Sequence, residues 1–132
     1  MLMLYSSDFT DQPSYLAATC DENGFEFFID SEGFWGQDSP FFRRNQTFEM
    51  RVGDTVFRGR YLASNSGDSA YLISGKPKFK AVAASDLLAA FNGARSVAVR
   101  VSDYRGVSST TSRSISGNAE GLLRVAADCG VK

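Results

Sequence analysis

Residues 47–63, TFEMRVGDTVFRGRYLA, contain two short runs around a Gly53-Asp54 dipeptide. Phe48, Met50 and Val52 alternate with Thr47, Glu49 and Arg51, the period of a half-buried strand. After the turn, Phe57 and Tyr61 fall on one face of the run 55–63, and Arg58 and Arg60 on the other. Such alternation fits a sheet with one face on a core and one in water.

The same reading extends along the chain. SYLAATC (14–20) and FEFFID (25–30) flank DENG, whose Asn23-Gly24 favours the positive φ angles of a tight hairpin turn. NSGDS is a loop, followed by an apolar strand AYLIS (70–74). SVAVRVSDY (96–104) sends Val97, Val99 and Val101 inward, and VSSTTSRSIS (107–116) is a Ser- and Thr-rich strand suited to an edge. Two segments carry a helical period. In ASDLLAAFNG (84–93), Ser85 is the expected N-cap, Leu87, Leu88 and Phe91 form an apolar stripe, and Gly93 fits the position past the end. In GNAEGLLRVAADCG, Asn118 is the expected cap, Leu122, Val125, Ala126 and Cys129 share a face, and Gly130 follows the helix. The fold class expected is α+β: a mostly antiparallel β-sheet or sandwich with two short helices in the C-terminal half. Residues 1–132 form one domain, a length that buries a core without metals.

Several chemistries are excluded by composition. Histidine is absent, so neither Ser-His-Asp nor Cys-His machinery can form, and two cysteines are too few for a Cys-only zinc site. No cofactor is implied. SGKPKFK (74–80) lacks the glycine spacing of a phosphate loop and reads as a basic exposed turn or edge. Asp21 with Glu22, or Asp30 with Glu32, are carboxylate pairs on turns, and Ser108 to Ser112 have no evident base.

Charge is unevenly placed. Residues 1–42 hold eight acids and no Lys or Arg, whereas residues 43–132 hold fourteen basic residues against seven acids. The two parts either form separate fields that steer partners or neutralise each other within one fold. Arginines dispersed over strands do not form the clustered stripe of a nucleic-acid surface, so direct nucleic-acid binding is not expected. No apolar run approaches the about 20 residues that span a bilayer, and MLMLYSSDF has no signal-peptide pattern. The chain as written is expected in the cytoplasm, or in the periplasm if the sequence is a trimmed mature form.

FEFFIDSEGFWGQDSPFFRR (25–44) holds seven aromatic residues. Alternation assigns Phe25, Phe27 and Ile29 to the core and leaves Phe28 on the other face. Phe34, Trp35, Phe41 and Phe42 follow no regular period. They either cover the open end of the sheet or form a protein-binding surface. In the second case Phe28, Phe34, Trp35, Asp38, Phe41, Phe42, Arg43 and Arg44 are the candidate site. The flanking acids would repel a phosphate backbone.

RYLASNSGDSAYLI, a short helix with two leucines, and SVAVRVSDYRGVSSTTSRSISGNAEGLLRVAADCG together resemble the VasI-type proteins associated with bacterial type VI secretion. DFTDQPSYLAATC matches their first strands and first cysteine more loosely. The resemblance implies a small β-rich domain without known enzymatic activity, and it implies that Cys20 and Cys129 pair. Closing so long a loop stabilises by about 4–5 kcal/mol in the chain-entropy model. Family members usually carry an export signal, and its absence here favours free thiols packed in a reducing cytoplasm.

Three functions follow as expectations. The first is a non-enzymatic module that binds another protein in a bacterial or phage assembly. The second is a phage- or mobile-element-encoded inhibitor of a host defence complex, similar to an anti-CRISPR, its acidic surface occupying a basic groove. The third is a carboxylate-based enzyme acting on glycans. Oligomeric state is not readable from these residues.

Overall fold

The computed structural model describes the backbone of residues 2–6, 14–31, 36, 43–64, 67, 69–75, 78–114 and 119–130. Side chains are described for the same residues except 2–6, 14–15, 30–31, 109–114 and 119–120. Among the described residues, ten strands form two antiparallel sheets. One contains β1 (Leu2–Ser6), β2 (Ser14–Asp21), β3 (Gly24–Ser31), β7 (Ser69–Ser74) and β6 (Leu62–Ala63) in that order, with β8 (Phe79–Lys80) also paired to β7. The other has the order β10 (Ser108–Ser114), β9 (Ser96–Ser102), β4 (Thr47–Val52), β5 (Thr55–Arg60). Helices α1 (Ala84–Phe91) and α2 (Ala119–Asp128) complete the described fold. The α+β class read from the sequence is the one observed.

Alternation explains the core. Phe48, Met50 and Val52 from β4 and Val97, Val99 and Val101 from β9 are buried, as are Leu16, Ala18, Phe27, Ile29 and Leu72 from the other sheet. Together with Leu87, Leu88 and Phe91 of α1 and Leu122 and Ala126 of α2, they form one hydrophobic cluster. Phe27 meets Phe91 edge to face, with ring centroids 6.0 Å apart, a favoured aromatic arrangement.

Four local expectations change. In the β2–β3 hairpin Gly24 pairs with Asp21, so Glu22 and Asn23 make the turn. Only Gly24 takes a positive φ (100°), and the Asp21 carboxylate accepts from the Asn23 N–H at 2.8 Å. The run 55–63 is two strands rather than one: β5 ends at Arg60, and β6 begins at Leu62 in the opposite sheet. Tyr61 is the corner between them and is buried. Helix α1 starts at Ala84, with Ala83 at the N-cap position and no side-chain cap. Ser85 is therefore inside the first turn, and burial of Leu87, Leu88 and Phe91 positions the helix in place of a cap. Asn118, the expected cap of α2, lies outside the described residues. The glycines past both helices behave as expected, with φ of 80° at Gly93 and 75° at Gly130.

The fourth change concerns the cysteines. Cys20 at the end of β2 and Cys129 just after α2 are joined by a disulfide, with Cα atoms 5.5 Å apart and a sequence separation of 109. The free-thiol expectation is corrected. The bridge forms where α2 packs along β2, so the helix end already sits within bonding reach of the strand.

Candidate functional site

The burial of one face of β4 and β9, with Phe57 of β5 half-buried beside it, dictates what the other face presents. With Met50 and Val99 inward, Glu49, Arg51 and Arg100 must point outward; Arg58 and Arg60 do so on β5. Register then brings them together. Glu49 stands opposite Arg58 on one side and opposite Arg100 on the other. Arg51 lies one row along, beside Val56 and Ala98, and Arg60 lies one row the other way, beside Thr47. Arg51, Arg58, Arg60 and Arg100 are all exposed. Among the described side chains of this face, four guanidiniums share the surface with a single carboxylate.

The Arg58 Nε donates to Glu49 Oε2 at 3.2 Å, and the Arg58 side chain remains 72% exposed. An exposed pair of this kind stabilises by at most about 1 kcal/mol. Thr47, Glu49, Arg58, Arg60, Arg100 and Ser102 border an open recess of about 510 Å³. A second hollow of about 240 Å³ adjoins it through Glu49 and Arg100 and extends to Arg51. The walls carry the four guanidiniums, the Glu49 carboxylate and hydroxyls, and so are net positive: the Ser102 and Ser108 hydroxyls share a hydrogen bond of 2.8 Å at one border. Chemically, the face suits carboxylates or other anions.

One end of this face is held by the β9–β10 loop. Buried Asp103 accepts at Oδ1 from the N–H groups of Arg105 (2.8 Å) and Val107 (3.0 Å). Its Oδ2 accepts from Arg105 Nη2 at 2.8 Å and Nε at 3.1 Å. The hydrogen bond and charge of Asp103 raise the pKa of Arg105 further above its usual value. The guanidinium also lies 5.7 Å from the centre of the Tyr104 ring. Asn45 Nδ2 donates to the Tyr104 carbonyl at 3.0 Å, which anchors the segment bearing Arg43 and Arg44 to this loop. Both arginines are exposed.

Of the residues expected to form a partner surface, Phe28, Arg43 and Arg44 are described. Phe28 is half-buried on the outer face of the six-stranded sheet, where its ring packs on Tyr71 at 4.9 Å between centroids. Arg43 and Arg44 lead into β4 of the other sheet. Phe34, Trp35, Asp38, Phe41 and Phe42 lie outside the described residues. Gly36, within the same segment, is buried against Tyr104 and Gln46, and a Cβ there would come within 2.6 Å of the Tyr104 Cβ.

Sequence reading missed the arginine face as a unit. Its signal was present in the alternation, which set Arg58 and Arg60 opposite Phe57. What alternation cannot supply is register, and register is what adds Arg51 and Arg100. Arginines that look dispersed along the chain are clustered on one sheet face. Among the described residues, no helix is long and apolar enough to cross a membrane, and no group of three acidic or cysteine side chains could hold a metal. No family model, curated protein or solved structure matches the chain.

Proposed function

We propose that the chain is a non-enzymatic module that binds another protein through the outer face of the four-stranded sheet. The observation that carries this reading is the cluster of Arg51, Arg58, Arg60 and Arg100 sharing one face with Glu49, exposed and bordered by an open recess. Arginine is favoured at interfaces, and a one-sign surface steers a partner of opposite sign. This charge favours an acidic partner, in contrast to the inhibitor reading, in which the chain's own acids would fill a basic groove. A bacterial or phage assembly as the setting rests on the resemblance to VasI-type proteins. The disulfide supports action in an oxidising compartment.

The test is affinity capture from the source organism with the immobilised chain, beside a variant reversed at Arg51 and Arg100 (R51E/R100E). Capture of one stoichiometric protein by the wild type, and its loss in the variant, is the expected result. Absence of any captured protein, together with turnover in a panel of glycosides, would overturn the reading.

A further inference from the structure

Strand β5 ends the four-stranded sheet, and the pairings described for it are to β4 alone. A terminal strand presents every second N–H and C=O away from its neighbour. Residues 55–60, TVFRGR, contain no proline, so each of those outward N–H groups is a donor. Natural edges of this length are blunted by charge, and here the blunting charges are Arg58 and Arg60. They repel a second copy of the same edge. They attract a strand of opposite sign.

We propose that β5 is the docking edge for an extended segment of the partner protein with carboxylates at alternate positions. The inference rests on the protein-binding reading above and names the partner's chemistry. Arg58 and Arg60 are two residues apart on one strand, hence about 7 Å apart along it. Side chains at alternate positions of an added strand have the same spacing, so two carboxylates can meet two guanidiniums while the backbones pair. Glu49 already shows this chemistry inside the fold: it stands between Arg58 and Arg100 by register and accepts from the Arg58 Nε. Val56 continues the same outward row and is 39% exposed, an apolar seat at one end of the edge. A nucleic acid could meet the guanidiniums but could not complete a β-ladder. The large hydrophobic side chains exposed among the described residues are Val56 and Val107, not rings on which bases stack.

The probe is a fluorescein-labelled decapeptide alternating Glu and Thr, compared with one of identical composition whose glutamates form a block, and with oligothymidylate of ten nucleotides. Polarisation titrations are run with the disulfide-bonded chain, with hydrogen exchange on the same samples. The alternating peptide should bind about tenfold tighter than either competitor, and R58E/R60E should lose about tenfold. Amides within 55–60 should gain protection. A control reversal at Lys80 and Arg124, both exposed away from this face, should bind as wild type. If R58E/R60E melts early, R58Q/R60Q replaces it. Equal binding of the two peptides, tighter binding of the oligonucleotide, no binding, or indifference to the β5 variants each overturns the proposal. If it falls while R51E/R100E still abolishes capture of the natural partner, the protein-binding reading stands.

Discussion

The Tyr61 hydroxyl donates to the main-chain carbonyl of Ser102 at 2.9 Å, joining the corner between the two sheets to the end of β9. Burial, and secondarily the negative charge of Asp103, raise the Tyr61 pKa well above the usual value of 10. The fold therefore holds this proton more tightly than the unfolded chain does.

Tyr61→Phe should cost about 1 kcal/mol at neutral pH, the net contribution of one such hydrogen bond. Its pH dependence has a defined sign. The raised pKa contributes stability that is fully present below about pH 10, where the unfolded tyrosine also keeps its proton. That contribution is lost as pH rises toward the folded value. Urea unfolding at increasing pH should show wild-type stability falling above pH 10 more steeply than that of Y61F.

The disulfide should contribute about 4–5 kcal/mol, since it closes nearly the whole chain into a loop. The double variant C20S/C129S should show a correspondingly lower denaturant midpoint than the oxidised wild type. Wild-type protein treated with a reductant should match the variant, and titration of unfolded oxidised protein with a thiol reagent should find no free thiol.

Asp103→Ala removes the acceptor of two main-chain N–H groups in the β9–β10 loop. The loss should be about 2–3 kcal/mol, as for hydrogen bonds to a charged group. Asp103→Asn keeps an oxygen in the Oδ1 position and should cost less. Arg105→Ala removes the partners of the buried Asp103 Oδ2 but keeps both main-chain donors to Oδ1, so it should destabilise less than Asp103→Ala in thermal unfolding.

Phe91→Ala opens a cavity where α1 meets the sheets, because Phe91 is fully buried against Phe27. A cost of about 3–5 kcal/mol is expected in equilibrium unfolding. Gly75 tests close packing instead: a Cβ there would collide with the Asn23 carbonyl of the β2–β3 hairpin. Gly75→Ala should cost about 1–3 kcal/mol through the forced backbone shift.

Most strands were legible because each buries one face, and a period of two records that burial directly. β7 shows where the record fails. Leu72 and Ile73 are adjacent yet both buried, because the register between β3 and β7 shifts at Phe27/Phe28 and leaves Leu72 as an extra residue. A bulge of this kind has no signature in one sequence. The division of 55–63 between two sheets was equally hidden, since Phe57 and Tyr61 keep the same alternation through the corner. β1 was not anticipated at all: Leu2–Ser6 is a strand because β2 offers it a partner, and pairing is non-local. The candidate site was half legible for the same reason. Strand faces follow from sequence, whereas the neighbours of each arginine follow from register.

The bridge from Cys20 to Cys129 also determines what a protease can accomplish. A cut in any connection between those residues, including the β4–β5 turn or the segment before α1, leaves both pieces covalently joined. A nicked molecule would migrate as an intact chain without reductant and as fragments with it. Damage at a single loop would not release the four-stranded sheet from its partner sheet.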